Sequence, residues 1–290
     1  MRKKLERSFK MIQDITPLRF RNEFEIRAPK STDYVLYYKN NEILLKNDEE
    51  PSIPTFHDLE KLDALIYEKS DYLFHIDGNC FFLVRNLDIK ESSSYQMYDT
   101  QILRTFEPMW LAFAAITGKH LFHFYQDNRY CGRCGKEMRK SQKERALCCD
   151  SCHNIVYPKI SPAIMVAITD GDKILLTKYS KGIYKRYGLV AGFVEIGETL
   201  EQTIEREVME EVGLKVKNIR YYKNQPWAFS SSLLVGFFAD LDGSSEVRLD
   251  ENELAEAVWV TREEIPENPI KISLSNEMID VFKNGLEPKI

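Results

Sequence analysis

The stretch Gly192–Leu214, GFVEIGETLEQTIEREVMEEVGL, predicts an amphipathic helix with well-marked ends. Thr199 and Gln202, three residues apart, fit a capping box, in which two side chains satisfy backbone N–H groups at the start of a helix. Gly213 suits the left-handed position that follows a last helical turn. Between these ends, an apolar residue recurs at every fourth position: Leu200, Ile204, Val208 and Val212. We therefore expect a helix that packs this stripe against a core.

The charges of this stretch need a separate explanation. It holds seven glutamates and one arginine, Arg206, which is spaced to pair with Glu210 or to reach back to Glu198. Glu207, Glu210 and Glu211 fall on one side and border the apolar stripe. Like charges four residues apart destabilise a helix slightly, and their burial beside the stripe adds a desolvation cost. The alternative is a solvated acidic face, but a ridge that binds divalent cations explains the clustering better.

The same stretch resembles the Nudix hydrolase box, G-x5-E-x7-R-E-U-x-E-E-x-G-U, in which U is aliphatic. All fixed positions are filled, by Gly192, Glu198, Arg206, Glu207, Val208, Glu210, Glu211, Gly213 and Leu214. A motif with this many constrained positions rarely arises by chance. The resemblance implies hydrolysis of a nucleoside diphosphate linked to another moiety. It also implies that Glu198 pairs with Arg206.

The resemblance further implies a catalytic site for Mg²⁺ or Mn²⁺ on the box glutamates. Glu207 and Glu211 are the expected main ligands, Glu210 assists, and the backbone carbonyl region of Ala191 and Gly192 completes the site. A diphosphate would be repelled by so many carboxylates, so metal ions must bridge the two and acidify the attacking water. A carboxylate then removes the proton.

A second motif, Asn224–Ser232 (NQPWAFSSS), follows the box. It resembles the S-Q-P-W-P-F-P-x-S array of NADH pyrophosphatases, with departures at Asn224, Ala228 and Ser230. Two departures replace prolines, so we expect a less rigid loop. Core packing is the alternative for Trp227 and Phe229, but the loop context favours a flat pocket that stacks a nicotinamide or adenine ring. The predicted substrate-binding residues here are Gln225, Pro226, Trp227, Ala228, Phe229, Ser230, Ser231 and Ser232.

Five of the six cysteines fall within a short segment, and four form two C-x2-C knuckles: Cys131, Cys134, Cys149 and Cys152. Four thiolates in this spacing predict a closed, structural Zn²⁺ site. A pair of disulfides is the alternative, which a reducing compartment disfavours. Cys148 breaks the knuckle spacing and is predicted to be a non-ligand, and Cys80 a small core residue.

Length and composition bound the remaining organisation. The chain has 290 residues, 43% hydrophobic and 29% charged, with a formal net charge of −5. This favours two or more globular domains and argues against a tight grip on nucleic acid. We expect no membrane span and no secretory signal, and hence a cytoplasmic protein. The expected fold class is α+β: an N-terminal α/β domain (1–125), a small zinc ribbon (126–158) and a C-terminal Nudix α/β/α sandwich with a mixed sheet (159–290).

The order of N-terminal domain, four-cysteine ribbon and Nudix domain is similar to that of NADH pyrophosphatases. Position in that family implies substrate contacts from Glu144 and Tyr157 in the ribbon, Arg104 in the N-terminal domain and Phe193 after the box glycine. Their alternatives are surface charges and packed aromatic rings. Glu253 matches a late glutamate of the family that binds metal or acts as a base, and Glu256 is the other candidate for that position. The alternative for either residue is an ordinary solvent-exposed glutamate in a loop.

The resemblance thus implies hydrolysis of NADH or NAD⁺ to nicotinamide mononucleotide and AMP. Removal of NAD caps from RNA 5′ ends follows from the same chemistry, because the dinucleotide head is the same group. The family resemblance also implies a homodimer. A Nudix hydrolase for ADP-ribose or diadenosine polyphosphates is the alternative enzyme, and a nucleotide-sensing or RNA-binding module the non-enzymatic one.

Overall fold

The computed structural model describes residues 11–87, 94–180, 186–267 and 271–289. The chain forms two compact units. One comprises the described residues of Asp14–Lys159, and the other those of Met1–Gln13 together with Ile160–Ile290. The ribbon therefore groups with the residues that precede it, and a short N-terminal segment belongs to the unit that contains residues 160–290. The finer domain boundaries remain predictions.

The first unit combines short strands with one long helix. Its strands are β1 (Phe20–Arg21), β2 (Tyr34–Leu36), β3 (Tyr38–Lys39), β4 (Glu42–Lys46), β5 (Ser70–Ile76), β6 (Asn79–Val84) and β7 (Tyr95–Asp99). They form a four-stranded sheet, β1-β5-β6-β2, and a three-stranded sheet, β3-β4-β7. The helices are α1 (Phe56–Leu59), the 3₁₀ helix Thr100–Arg104 and α2 (Met109–Asp127). Cys80 is buried among apolar side chains, as predicted.

The apolar spacing of residues 105–125 predicts a helix that Gly118 interrupts, and helix α2 differs from this prediction at its start and at the glycine. The helix begins at Met109, after Pro108, and continues through Gly118. A side-chain carbon at Gly118 would lie 2.4 Å from Leu36 Cδ1 and 2.8 Å from the Tyr38 hydroxyl. The glycine therefore allows close packing on the strands, and it does not break the helix.

The ribbon contributes three two-residue strands, β8 (Arg139–Lys140), β9 (Leu147–Cys148) and β10 (Ile155–Val156), paired in the order β10-β9-β8. Two of its cations hold it against the N-terminal part of the unit. Arg145 donates from Nη1 to Asn22 Oδ1 at 2.6 Å and from Nη2 to the Leu73 carbonyl at 2.5 Å, while Lys140 pairs with Asp71. The ribbon is therefore fixed by polar contacts to the preceding strands as well as by its own cysteines.

The second unit is built on one mixed sheet. Its elements are β11 (Ser161–Asp170), β12 (Lys173–Tyr179), β13 (Val190–Phe193), α3 (Leu200–Val212), β14 (Val216–Trp227), β15 (Ser232–Leu241), β16 (Leu254–Thr261) and α4 (Leu274–Lys283). The strand order is β14-β15-β11-β12-β16, and β13 pairs with β11. Strands β11 and β15 run parallel, and the other pairs are antiparallel.

One helix covers each face of this sheet. Helix α3 packs its apolar stripe into one core, and α4 packs into the core on the other face. An Asp-Gly pair between two apolar runs predicts a hairpin at Asp170-Gly171-Asp172. The structure confirms it, with Gly171 at φ 60° between β11 and β12. The predicted α+β class, with a mixed sheet between helices, is confirmed as well.

Candidate active site

Helix α3 has the ends that its sequence predicts. Thr199 Oγ1 accepts a hydrogen bond from the Gln202 backbone N–H at 3.2 Å, and Gln202 Oε1 accepts one from the Thr199 backbone N–H at 2.9 Å. Gly213 has φ 67° and ends the helix. Ile204, Val208 and Val212 are fully buried. The helix therefore presents a fixed set of side chains on its remaining faces.

Arg206 organises the loop that precedes the helix. Its Nε and Nη2 atoms donate to the two oxygens of Glu198 at 2.7 and 2.9 Å, and Nη2 also donates to the Phe193 carbonyl at 3.1 Å. Thr203 Oγ1 adds a hydrogen bond to Glu198 at 2.9 Å. The hydrogen bonds that Glu198 accepts, first from Arg206 and then from the Glu195 N–H and Thr203, lower its pKa to about 2. A forked pair of this kind fixes direction as well as distance.

The same guanidinium also reaches the acidic ridge, so both pairings considered for Arg206 occur. Its Nη1 atom donates to Glu207 Oε1 at 2.8 Å and to Glu210 Oε2 at 3.0 Å. Glu210 is otherwise exposed, whereas the Glu207 side chain is only 12% exposed. Arg206 thus connects the loop carboxylate to the two ridge carboxylates.

Glu207 lies directly against the strand that carries the box glycine. A side-chain carbon on Gly192 would lie 2.0 Å from the Glu207 carboxyl carbon. Gly192 and Ala191 pair with Ile164 and Met165 of β11, which fixes the strand in place. This close approach explains the glycine at the first box position and brings the Glu207 carboxylate beside Gly192.

Glu211 is the most deeply buried carboxylate of the ridge. It is 2% exposed, and its Oε2 atom has no hydrogen-bond partner among the described residues. Burial first, and then the neighbouring charges of Glu207, Glu253, Asp250 and Glu210, together raise the pKa of Glu211 to about 8. Burial also raises the pKa of Glu207. An orphaned, buried oxygen in such a cluster fits a cation ligand, because a cation would replace the missing partner.

The structure separates the two late glutamates. Glu253 adds its charge to those of Glu207 and Glu211, and its backbone carbonyl accepts a hydrogen bond from the Ser180 N–H at 2.9 Å. Glu256, on β16, instead accepts a hydrogen bond from the Tyr187 hydroxyl at 2.8 Å. Glu253 is therefore the late glutamate that acts electrostatically on the ridge.

The side chains that could hold a divalent cation are Glu207, Glu211 and Glu253; the predicted backbone ligands, Ala191 and Gly192, lie on the adjoining strand β13. Within the described ranges, the four ribbon cysteines are the one group of metal-binding side chains whose ligand atoms all lie within 4.8 Å of one another. The carboxylates are spaced more widely, and Glu207 accepts a hydrogen bond from Arg206. Carboxylate oxygens suit Mg²⁺ or Mn²⁺ better than softer metals.

Sequence reasoning missed Tyr179, at the end of β12. Burial raises the pKa of Tyr179, and the charges of Glu211, Glu207 and Glu253 raise it further. The sequence offers no local signal for this residue, since it looks like an ordinary strand aromatic. It belongs to the wall of the carboxylate cluster.

The NQPWAFSSS motif forms a hairpin, and the prediction that it lies in a loop is wrong for its first half. Strand β14 continues through Trp227 and pairs with β15, so the turn is confined to residues 228–231. The Trp227 and Phe229 rings lie 4.8 Å apart with planes tilted by 44°. Trp227 also packs against the core on the α4 face, so ring pairing and core packing coexist.

Gln225 has a different environment from the one expected of a nucleotide-binding side chain. It is fully buried, and both ends of its amide are used by the protein itself. Ser232 is also buried and donates to the Ser230 carbonyl at 3.0 Å. These two side chains hold the hairpin in place, whereas Pro226 and Ser230 are exposed and Ala228 and Ser231 are part-buried.

The other predicted contacts are distributed between the two units. Phe193 is 52% exposed beside the box. In the first unit, the Tyr157 hydroxyl donates to Glu144 Oε1 at 3.1 Å, so these two ribbon residues are neighbours. Arg104 Nε donates to Gln101 Oε1 at 2.6 Å in the 3₁₀ helix. The substrate roles of these residues remain predictions.

The four cysteines converge as their spacing predicts. Cys131 Sγ lies 3.6 Å from Cys152 Sγ, and Cys134 Sγ lies 3.4 Å from Cys149 Sγ. Cys148 is outside this group. Backbone N–H groups, that of Arg133 first, lower the pKa of Cys131 to about 6. Four sulfurs at these separations fit one tetrahedral Zn²⁺.

Comparison with known proteins defines the class. Residues 159–280 match the NUDIX domain model, and residues 126–157 match the NADH pyrophosphatase zinc ribbon domain. The chain therefore carries a segment similar to Nudix domains, preceded by a segment similar to the zinc ribbon of NADH pyrophosphatases.

Similar proteins are NAD-capped RNA hydrolases NudC. Those of Shigella dysenteriae serotype 1 and of Escherichia coli O1:K1 are each 44% identical over 163 residues, 56% of this chain. The match spans 63% of those proteins' own length. A crystal structure of a NUDIX hydrolase from Nitrosomonas europaea is 25% identical, covering 54% of this chain and 91% of that chain with a TM-score of 0.48.

The helices of the described residues include none with the length and hydrophobicity of a transmembrane span.

Proposed function

We propose that this protein hydrolyses the pyrophosphate bond of NADH or NAD⁺, giving nicotinamide mononucleotide and AMP. One observation carries the proposal: the buried, unpartnered carboxylate oxygen of Glu211 beside Glu207 and Glu253. Such an arrangement is costly without cations and useful with them. The complete box, the ribbon and the NudC relatives support the same substrate class.

The catalytic set is Glu207, Glu210 and Glu211, with Glu198 and Arg206 in support. Glu207, Glu211 and Glu253 would hold Mg²⁺ or Mn²⁺, aided by the Ala191 and Gly192 backbone and by Glu210. A cation bound there would neutralise diphosphate charge and lower the pKa of the attacking water. Glu253 is exposed and borders the ridge, which suits it to remove a proton or to complete the ligand set. Arg206 keeps Glu207 and Glu210 oriented through its bonds to Glu198.

The substrate's flat rings meet the aromatic side chains. Trp227 and Phe229 offer adjacent ring faces at the hairpin turn, and the exposed Phe193 offers a third. Stacking on such rings stabilises a base without demanding a single hydrogen-bonding pattern. Arg104, Glu144 and Tyr157 are further proposed contacts. Gln225 and Ser232 contribute by holding the turn.

Removal of NAD caps from RNA 5′ ends is part of the proposal, because the cap carries the same dinucleotide. The NudC relatives bear that activity in their names. The net charge of −5 favours recognition of the cap over the RNA body. A homodimer and a cytoplasmic location complete the proposal.

A product assay tests the substrate. NADH, NAD⁺, ADP-ribose, diadenosine polyphosphate and NAD-capped RNA are incubated separately with the protein and Mg²⁺ or Mn²⁺ in H₂¹⁸O, and products are identified by mass spectrometry. We expect NADH or NAD⁺ to give the two mononucleotides fastest, with ¹⁸O in one of them. Much faster turnover of ADP-ribose or the diadenosine compound would shift the assignment to the alternative Nudix activity. Binding without turnover of any of them would favour a sensing module.

A further inference from the structure

The Gln225 amide connects strand β14 to two segments that are distant in sequence. Its Nε2 atom donates to Gln13 Oε1 and to the Ile272 carbonyl, each at 2.9 Å, and its Oε1 atom accepts from the Leu274 N–H at 2.7 Å. Gln225 is fully buried, so its amide depends on these partners for its hydrogen bonds. All three partners are needed to satisfy the amide, since a buried N–H without an acceptor is costly.

The first of these segments comes from the start of the chain. Met11 and Ile12 are 1% and 2% exposed, and Met11 belongs to the core on the α4 face. The Ile12 N–H donates to the Ile272 carbonyl at 3.2 Å. Gln13 Nε2 approaches Met11 Sδ at 3.5 Å, which turns its oxygen toward Gln225. The segment is therefore packed into the catalytic unit, and Gln13 is directed at one target.

That target adjoins the aromatic turn. Pro226 and Trp227 follow Gln225 directly on β14, and Phe229 lies two residues further, with its ring against Trp227. The backbone at Gln225 is paired with Leu234 of β15. The Gln225 side chain provides the other contacts that fix the position of this end of the strand. A shift of Gln225 would carry the Trp227 ring with it.

We propose that Gln13 is a positioning residue for substrate binding, acting through Gln225 on the Trp227–Phe229 ring pair. This inference rests on the proposed function, because it assumes that these rings bind the substrate. Gln13 touches no substrate itself. Its role is to keep the ring surface in one place, so its loss weakens ground-state binding and leaves the carboxylate chemistry intact.

Two substitutions in the full-length protein test this role. Gln13→Met keeps the size but removes the acceptor, whereas Gln13→Glu keeps an oxygen for Gln225 Nε2. We expect Gln13→Met to raise KM for NADH about tenfold, with kcat changed less than about twofold. Gln13→Glu should restore a KM near that of the wild type. The dissociation constant for NADH without divalent metal, from quenching of tryptophan fluorescence, should follow the same order.

A matched variant controls for general destabilisation. Val281→Ala removes volume from the same core, where Val281 is buried, without touching the Gln13–Gln225 contact. It should lower the melting temperature and leave KM unchanged. Equal KM values for wild type and Gln13→Met, or a KM that follows melting temperature across all variants, would overturn the positioning role. A wild type that binds NADH but does not hydrolyse it overturns the proposed function alone; one that does neither overturns both.

Discussion

The Glu207 carboxylate occupies the space where any side chain on Gly192 would stand, since an added carbon would lie 2.0 Å from it. The two residues come from different elements, β13 and α3, and their contact sets the distance between the strand backbone and the acidic ridge. Glycine at position 192 is thus required by close approach and not by an unusual backbone angle.

Gly192→Ala should therefore move the Glu207 carboxylate and lower kcat/KM for NADH by about 10–100-fold, the range seen when groups that orient metal ligands are changed. The measurement is steady-state kinetics with saturating Mg²⁺. Gly132→Ala is the control, because an added carbon there meets no atom within 4 Å. Unchanged kinetics in Gly192→Ala would show that Glu207 needs no fixed place.

Arg206→Lys should also lower kcat/KM about 10–100-fold, because lysine has no fork with which to bind both Glu198 oxygens. Arg220→Lys is the matched control: Arg220 forms a comparable pair with Asp240 at 2.7 Å in the same unit. We expect that control to retain wild-type kinetics. Equal losses in both variants would point to a general need for arginine pairs and not to a special role of Arg206.

The raised pKa of Glu211 makes the metal-free protein sensitive to pH. The folded state holds this proton with a pKa of about 8, against an ordinary 4.5. The folded state therefore binds the proton more tightly than the unfolded state does. As a consequence, the free energy of unfolding falls as pH rises from about 4.5 to about 8. Thermal melts without added divalent metal should show this fall.

In Glu211→Gln, the part of the pH-dependent decrease in the free energy of unfolding that Glu211 causes should disappear, since glutamine does not titrate. Added Mg²⁺ should raise the melting temperature of the wild type at pH 8 and not that of the variant. A wild type whose melting temperature is independent of pH over this interval would contradict the assignment.

The ribbon should hold about one Zn²⁺ per chain. Cys134→Ser removes one of the four clustered sulfurs, so we expect loss of zinc, measured by elemental analysis, and loss of ordered ribbon structure. Cys148→Ser, one residue from Cys149 but outside the cluster, should retain the metal. Loss of zinc from both variants would mean that the ligand set has been misassigned.

The sequence predicts those parts of the site that local chemistry determines. The capping box, the helix-ending glycine and the apolar stripe of α3 are short-range signals, and all appear in the structure. The cysteine cluster was predictable for the same reason, because two knuckles permit little else. The mixed sheet followed from the resemblance to the family.

Long-range partners could not be predicted in this way. Gln225 looks like a nucleotide-binding amide until Gln13, 212 residues away, is found beside it. The choice between Glu253 and Glu256 depends on where β16 begins and which way its side chains alternate. Tyr179 joins the carboxylate cluster only because β12 and the segment before β16 are neighbours.

The central claim is that the acidic ridge of α3 binds a divalent cation, and Mn²⁺ binding measured by electron paramagnetic resonance at pH 8 tests it most directly. Wild type, Glu211→Gln and Glu205→Gln are titrated in parallel; Glu205 is an exposed glutamate on the same helix and serves as the control. We predict that Glu211→Gln weakens Mn²⁺ binding at least about tenfold while Glu205→Gln matches the wild type. Equal affinity in all three proteins would contradict the account.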